Sequence, residues 1–342
     1  MYVNRRLDKK SVLRFGVTIF VPAASWAVAV YVLYTYAHLT FLRIPFLPIA
    51  TIGTAVAFYV GFKNNAAYER FWEGRKIWGA IVNASRTWGT DVMSYVLPDD
   101  ESPEAHEVRR DLIYRHMAWM NALRLQLRKN SRFFNKPAKS TRARLEKHDE
   151  VMRNDWEKEI KPFLEADEYE LVTDMANPAT QLLTIQGKKV AALMGSEQLN
   201  LFHQIAMMEV IEALYTHQGK CERIKNTPFP RFYAEYSRIF VRIFVFLLPF
   251  GMLDVFAETI KNATTTYQTL WPIIPMILAC GLVSWVFMTM EGVGDATEDP
   301  FERSMNDVPM NALCRTIEID LRQMLNETDL PPKEQAVDNI LY

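Results

Sequence analysis

The chain has 342 residues, 49% of them hydrophobic, with 39 basic against 40 acidic side chains and a formal net charge of −1. That length and apolar content allow two ordinary domains with a sizeable core. The balanced charge removes any global electrostatic case for nucleic-acid binding, and three scattered cysteines, Cys221, Cys280 and Cys314, imply no disulfide framework.

A mean hydropathy of −0.08 resembles that of a soluble protein, but the charges are segregated along the chain. Residues 15–37, 44–62 and 262–290 contain no Asp, Glu, Lys or Arg, in runs of 23, 19 and 29 residues. A helix needs roughly 20 apolar residues to cross the hydrocarbon core of a bilayer, so each run is read as a membrane span. Arg5, Arg6, Lys9, Lys10 and Arg14 precede the first run as they would precede a signal peptide. The apolar stretch is too long for that, and a second span follows closely, so a true span is expected. A fourth span is placed at 231–258, although only 243–253 is free of charge. There Arg238 and Arg242 share one helical face, where they could snorkel or face a protein interior.

Basic residues cluster before span one and, as Lys63, Arg70, Arg75 and Lys76, after span two. The short loops 37–44 and 259–270 offer Arg43 and Lys261. The positive-inside rule therefore predicts a multi-pass protein of the cell membrane, with both termini and the middle region cytoplasmic. The expected division is 1–62, a basic tail and two membrane helices; 63–230, a cytosolic helical region; 231–290, two further membrane helices; and 291–342, a cytosolic C-terminal segment.

Within the middle region, Phe71, Trp78, Val82, Ser85, Trp88, Val92 and Val96 keep a three-and-four spacing that carries the second span's helix well beyond the membrane. LPDDESP (97–103) is a break, with Ser102 as N-cap and Pro103 in the first turn of the next helix. Val108, Leu112, Trp119, Leu123 and Leu127 line that helix. NSRFFNKPAKS (130–140) reads as a loop, and the charged stretch 141–170 as a solvated helix or connector. Asn177-Pro178 repeats the cap-plus-proline signal and opens a helical pattern to about Lys220. No strand-like alternation and no internal repeat is evident.

Familiar enzyme signatures are absent: no phosphate-cradling Gly-Lys-Ser/Thr loop, no His-Glu-x-x-His, no Cys-x-x-Cys, no Gly-x-Ser-x-Gly. Gly292-Val293-Gly294 follows a span rather than a strand and carries little information. His203 and His217, near Glu209 and Glu212, read as helical polar residues in preference to a metal site. The carboxylates Glu291, Asp295, Glu298, Asp299 and Glu302 could bind a hard cation, but they lack the ligand spacing of an EF-hand. Pairing with the basic N-terminal tail is the favoured reading. No enzyme activity, metal or cofactor is expected.

The second span carries two stripes. Gly53, Ala57 and Gly61 form a small-xxx-small ridge suited to close helix packing in lipid. About 60° around the helix lie Ala50, Thr54 and Phe58. In a symmetric oligomer one stripe could face neighbours and the other a central axis.

Four blocks then carry a resemblance. They are FYVGFKNNAAYERFWEGRKIW (58–78), ERIKNTPFPRFY (222–233), LPFG (248–251), and EDPF (298–301) followed by NDVP (306–309). In this order they resemble bestrophins, particularly the bacterial homologues, from the basic tail to about residue 320. The resemblance implies an all-α homopentameric ion channel with four membrane helices per subunit, a cytosolic helical domain and one pore on the five-fold axis. It places the pore neck at Ala50, Thr54 and Phe58 and a cytosolic aperture at Phe229. The expected partners are four further copies of the chain, monovalent ions and the lipid bilayer, with no nucleic acid. The family's neck is bulkier than Ala50 and Thr54 allow. The stretch after Pro300-Phe301 has Arg303 in place of a calcium-clasping acidic run, so calcium gating is not expected.

No charged ring falls on the inferred neck, so the sequence leaves ion sign open, with chloride slightly favoured and cation selectivity retained. Two other classes stay in view. A secondary transporter would use breaks at Pro22, Pro249, Pro272 or Pro275. A membrane-anchored interaction or sensory protein would work through its middle region.

Overall fold

The computed structural model describes residues 1–129, 146–262, 271–302 and 304–342. The expected loop at 130–140, positions 263–270 of the loop between the third and fourth spans, and Arg303 lie outside those residues. The described residues are overwhelmingly helical, and none forms a β-strand beyond isolated bridges such as Tyr2 with Ile340. In chain order the helices are α1 (Lys9–Thr35), α2 (Phe46–Tyr95), α3 (Pro103–Arg128), α4 (Asp149–Met152), α5 (Trp156–Ile160) and α6 (Ala166–Thr173). They continue with α7 (Pro178–Gly195), α8 (Leu201–Asn226), α9 (Arg231–Lys261), α10 (Ile273–Asp295) and α11 (Met310–Met324).

Contacts divide the chain into two compact units. One comprises Asn4–Glu69 and Phe229–Glu298, the other Met1–Val3, Arg70–Pro228 and Asp299–Tyr342, so one boundary falls inside α2. The first unit holds four helices long and apolar enough to cross a bilayer, at Val12–Thr35, within Thr40–Tyr95, at Arg231–Phe256 and at Ile273–Asp295. α1 packs on α9 and α10, and α9 on α10. Pro22 and Pro249 lie inside continuous helices, and Pro272 caps α10, so these prolines leave the helices unbroken.

Close packing here depends on missing side chains. A Cβ on Gly53 would lie 2.6 Å from the Phe244 ring, and one on Gly281 would meet Phe20. The start of α2 is secured by Asp254, whose carboxylate accepts from the Phe46 amide at 3.1 Å and pairs with Arg43 at 2.7 Å. A negative charge at a helix N-terminus satisfies an otherwise orphaned donor and complements the helix dipole.

The other unit is built on α3, which contacts α5, α7, α8 and α11. Both expected caps are present: Ser102 accepts from the Ala105 amide and Asn177 from the Thr180 amide, each with proline in the first turn. Trp78, Ser85, Trp88, Val92 and Val96 are fully buried, as their spacing on α2 implies. The helix expected from Pro178 to about Lys220 is instead two. It stops at Gly195, Glu197 adopts φ 60°, and Asn200 starts α8 by accepting from the Phe202 amide. The described part of 141–170 forms short helices and a 3-10 turn at Lys161–Phe163, and its Met152, Ile160 and Phe163 enter cores, so it is more than a solvated connector.

α3 also buries charge that apolar periodicity does not reveal. Arg115 reaches Asp111 at 2.7 Å and Glu168 at 2.5 Å, and Arg124 reaches Glu159 at 2.7 Å and Asn311 at 2.6 Å. Buried guanidinium groups persist only when paired in this way.

Candidate pore-lining site

At 1.5 Å per residue the charge-free 44–62 run is about 28 Å long as a helix, close to the thickness of the hydrocarbon core. Ile49, Gly53, Val56, Val60 and Lys63 recur at three-and-four spacing and are buried in their own subunit. Thr54 and Phe58 lie roughly 160° from Val56 in either direction, on the opposite side of the helix. Phe58 is 66% exposed, Thr54 is exposed and Ala50 is half-buried. Thr54 Oγ1 donates to the Ala50 carbonyl at 3.0 Å, which returns the hydroxyl hydrogen to the backbone. Its oxygen lone pairs remain toward the open side.

The small-residue ridge divides. Gly53 packs on Phe244, Ala57 is half-buried, and Gly61 is exposed with no atom within 4 Å of where its Cβ would stand. Phe229, the inferred aperture residue, is 5% exposed in the single chain, with its ring centroid 6.0 Å from that of Tyr233. Tyr233 in turn lies 4.8 Å from Tyr59 of α2.

At the lower end of the spans, Lys63 is fully buried and pairs with Glu291 at 2.7 Å and with Asp295. Asp295 also accepts from Arg238 at 2.9 Å. Asn64 donates to the Met290 carbonyl at 2.8 Å, and a side chain on Gly294 would meet Asn64 and the Lys63 stem. Gly294 therefore has a packing role that its lone Gly-x-Gly context does not betray. Sequence reasoning missed this network, yet it left a signal: Lys63 and Glu291 are the first charges after the 44–62 and 262–290 runs.

The remaining carboxylates of the acidic cluster are also paired. Glu298 faces Arg231 at 3.9 Å, Asp299 faces Arg70 at 3.6 Å, and Glu302 pairs with Lys225. Where the N-terminal tail was the expected partner, cations of α2, α8 and α9 also pair with these carboxylates, brought close in space from distant sequence. Among the described residues no group of three or more His, Cys, Asp or Glu side chains forms a metal-ion arrangement. His203 stacks on Tyr95 with ring centroids 4.1 Å apart. Burial, helped by nearby Lys220, holds the His217 imidazole below its ordinary pKa.

Four bilayer-length helices joined to a compact helical unit define a polytopic α-helical membrane protein. Residues 11–323 match the family described as Bacterial/Fungal Bestrophin protein, so the chain belongs to the bestrophin family. It is 29% identical over 304 residues to the voltage-dependent anion channel-forming protein YneE of Escherichia coli (strain K12), covering 89% of this chain and 84% of the relative. It is 27% identical over 295 residues to the voltage-dependent anion channel-forming protein mll4386 of Mesorhizobium japonicum, covering 86% of this chain and 79% of that one. Its fold resembles a bacterial bestrophin homologue from Klebsiella pneumoniae, with a TM-score of 0.73, 22% identity, and coverage of 92% of this chain and 98% of that one.

Proposed function

We propose that the chain is one subunit of a homopentameric channel for small monovalent ions, with α2 lining the pore. The observation that carries this reading is the division of α2 into two faces. Ile49, Gly53, Val56 and Val60 are satisfied within the subunit, while Thr54 and Phe58 project from the opposite side. Five copies around an axis would turn Ala50, Thr54 and Phe58 into stacked rings, with Phe58 the narrowest and driest. Gly61, with open space around it, is free to take a neighbouring subunit's helix.

In this reading the chain lies in the inner membrane of a bacterium with the termini and the 63–230 region facing the cytoplasm, an orientation that the positive-inside bias of the loops supports. Phe229 borders a second constriction. The names of the relatives favour anions. The neck itself presents threonine oxygens and aromatic rings, which impose no strong charge preference.

Reconstitution into planar bilayers with asymmetric KCl tests the proposal. Unitary currents reversing on the chloride side of zero are expected from a detergent-stable pentamer. A monomeric or dimeric particle without ion flux, or saturable substrate-coupled flux without unitary currents, contradicts it.

A further inference from the structure

The exposed stripe that begins at Thr54 and Phe58 does not end with the apolar run. Asn65 and Glu69 follow Phe58 by seven and eleven residues on the same continuous helix. At 100° per residue they point within about 20° of Phe58, roughly 10 and 16 Å further along the axis. Both are exposed. Asn65 Nδ2 donates to Glu69 Oε1 at 2.8 Å, so the carboxylate is drawn back along the helix toward Phe58.

Glu69 differs from the carboxylates around it. Glu291 and Asp295 are neutralised by Lys63, and Glu298 by Arg231. The next acidic residue on α2, Glu73, pairs with Arg223 at 2.5 Å. Glu69 is held by a neutral amide and, among the described residues, enters no ion pair. It stands on the face that Phe58 marks.

We propose that Glu69, aimed by Asn65, forms an acidic ring just below the neck and is a determinant of charge selectivity, holding cations near the pore and weakening anion passage. The proposal rests on the pentameric reading of α2 given above. Five carboxylates around a narrow lumen walled by low-dielectric helices focus a negative potential along the conduction path. A ring of this kind acts through space, so its influence depends on screening. The Debye length is about 30 Å at 0.01 M salt and about 3 Å at 1 M.

The test is the reversal potential of reconstituted wild-type, Glu69→Gln and Glu69→Lys channels in asymmetric KCl at low and high ionic strength, with Phe58→Ala as the reference for the pore. Glu69→Gln should raise the chloride-to-potassium permeability ratio by about twofold or more at low salt and Glu69→Lys further, both effects shrinking near 1 M. Because the position is exposed, both variants should assemble as the wild type does. An unchanged ratio in Glu69→Lys at low salt, with conductance altered in Phe58→Ala, overturns the acidic ring and leaves the pore intact. Unchanged currents in Phe58→Ala as well would remove the pore assignment, and the ring with it.

Discussion

Lys63 Nζ lies 2.7 Å from Glu291 Oε1, joining the charge that ends the apolar run of α2 to the charge that ends the apolar run of α10. Both side chains are buried, and Asp295 and Arg238 extend the pair into a network. The two spans are thereby fixed in register at one end. An ammonium group buried in this setting is tolerable only with its carboxylates in place.

Removing one partner should therefore cost more than removing both. Lys63→Met leaves Glu291 without its cation and Asp295 with Arg238 alone, and Glu291→Gln weakens the hold on a buried cation. Each is expected to destabilise the subunit by about 3–5 kcal/mol. The double substitution should recover part of that loss, as thermal unfolding of detergent-solubilised protein will report. Equal stability of all three variants and the wild type would show that the network contributes nothing.

Thr54 donates its hydroxyl hydrogen to the Ala50 carbonyl at 3.0 Å, leaving oxygen lone pairs to hydrate the layer above Phe58. Thr54→Ile replaces that oxygen with an apolar branch, so the layer should dry and unitary current should fall. A larger current in the variant would contradict a neck governed by wetting.

His116 provides a pH signature outside the membrane spans. Its imidazole is buried beside Trp88 and Trp119, with Nε2 2.9 Å from Ser85 Oγ, and Nδ1 has no hydrogen-bond partner among the described residues. Burial pushes its pKa down to about 3. The unfolded chain, with an ordinary histidine pKa near 6.5, binds the proton first as pH falls. The stabilising contribution is thus complete above about pH 6.5 and is lost progressively toward pH 3, at about 1.4 kcal/mol per pH unit. Between pH 7 and pH 5 the wild type should lose about 2 kcal/mol that His116→Gln does not lose, measured by chemical or thermal unfolding. Parallel pH profiles would exclude this histidine as the cause.

Local signals in the sequence proved reliable where the physics is local. Ser102-Pro103 and Asn177-Pro178 start helices because a short polar side chain caps the first amides and proline needs no donor there. The break after Gly195 is hard to see because the sequence on both sides of it is rich in apolar residues at helical spacing. Gly195-Ser196 and Asn200 were the cues to it. Three of the four bilayer-length helices were legible from charge-free runs, and Arg238, the chief objection to the one at Arg231–Phe256, is answered by Asp295 57 residues away. Such pairings, like Arg124 with Glu159 and Lys63 with Glu291, join residues that no window along the chain contains together. On α2 the stripes were readable from helical period alone. Which stripe the subunit buries depended on Phe244 filling the space above Gly53.

Phe58→Ala probes the pore more cleanly than Phe229→Ala, because Phe229 is buried against its own subunit and its loss also opens a cavity. In the proposed pentamer, removing Phe58 would delete a ring of five aromatic side chains, and because Phe58 is exposed it would leave the subunit core intact. The most direct measurement is single-channel conductance of Phe58→Ala and wild-type protein of the same oligomeric size in the same bilayer. A clear rise in unitary conductance is expected of a neck on α2; indistinguishable currents would place the ion path elsewhere.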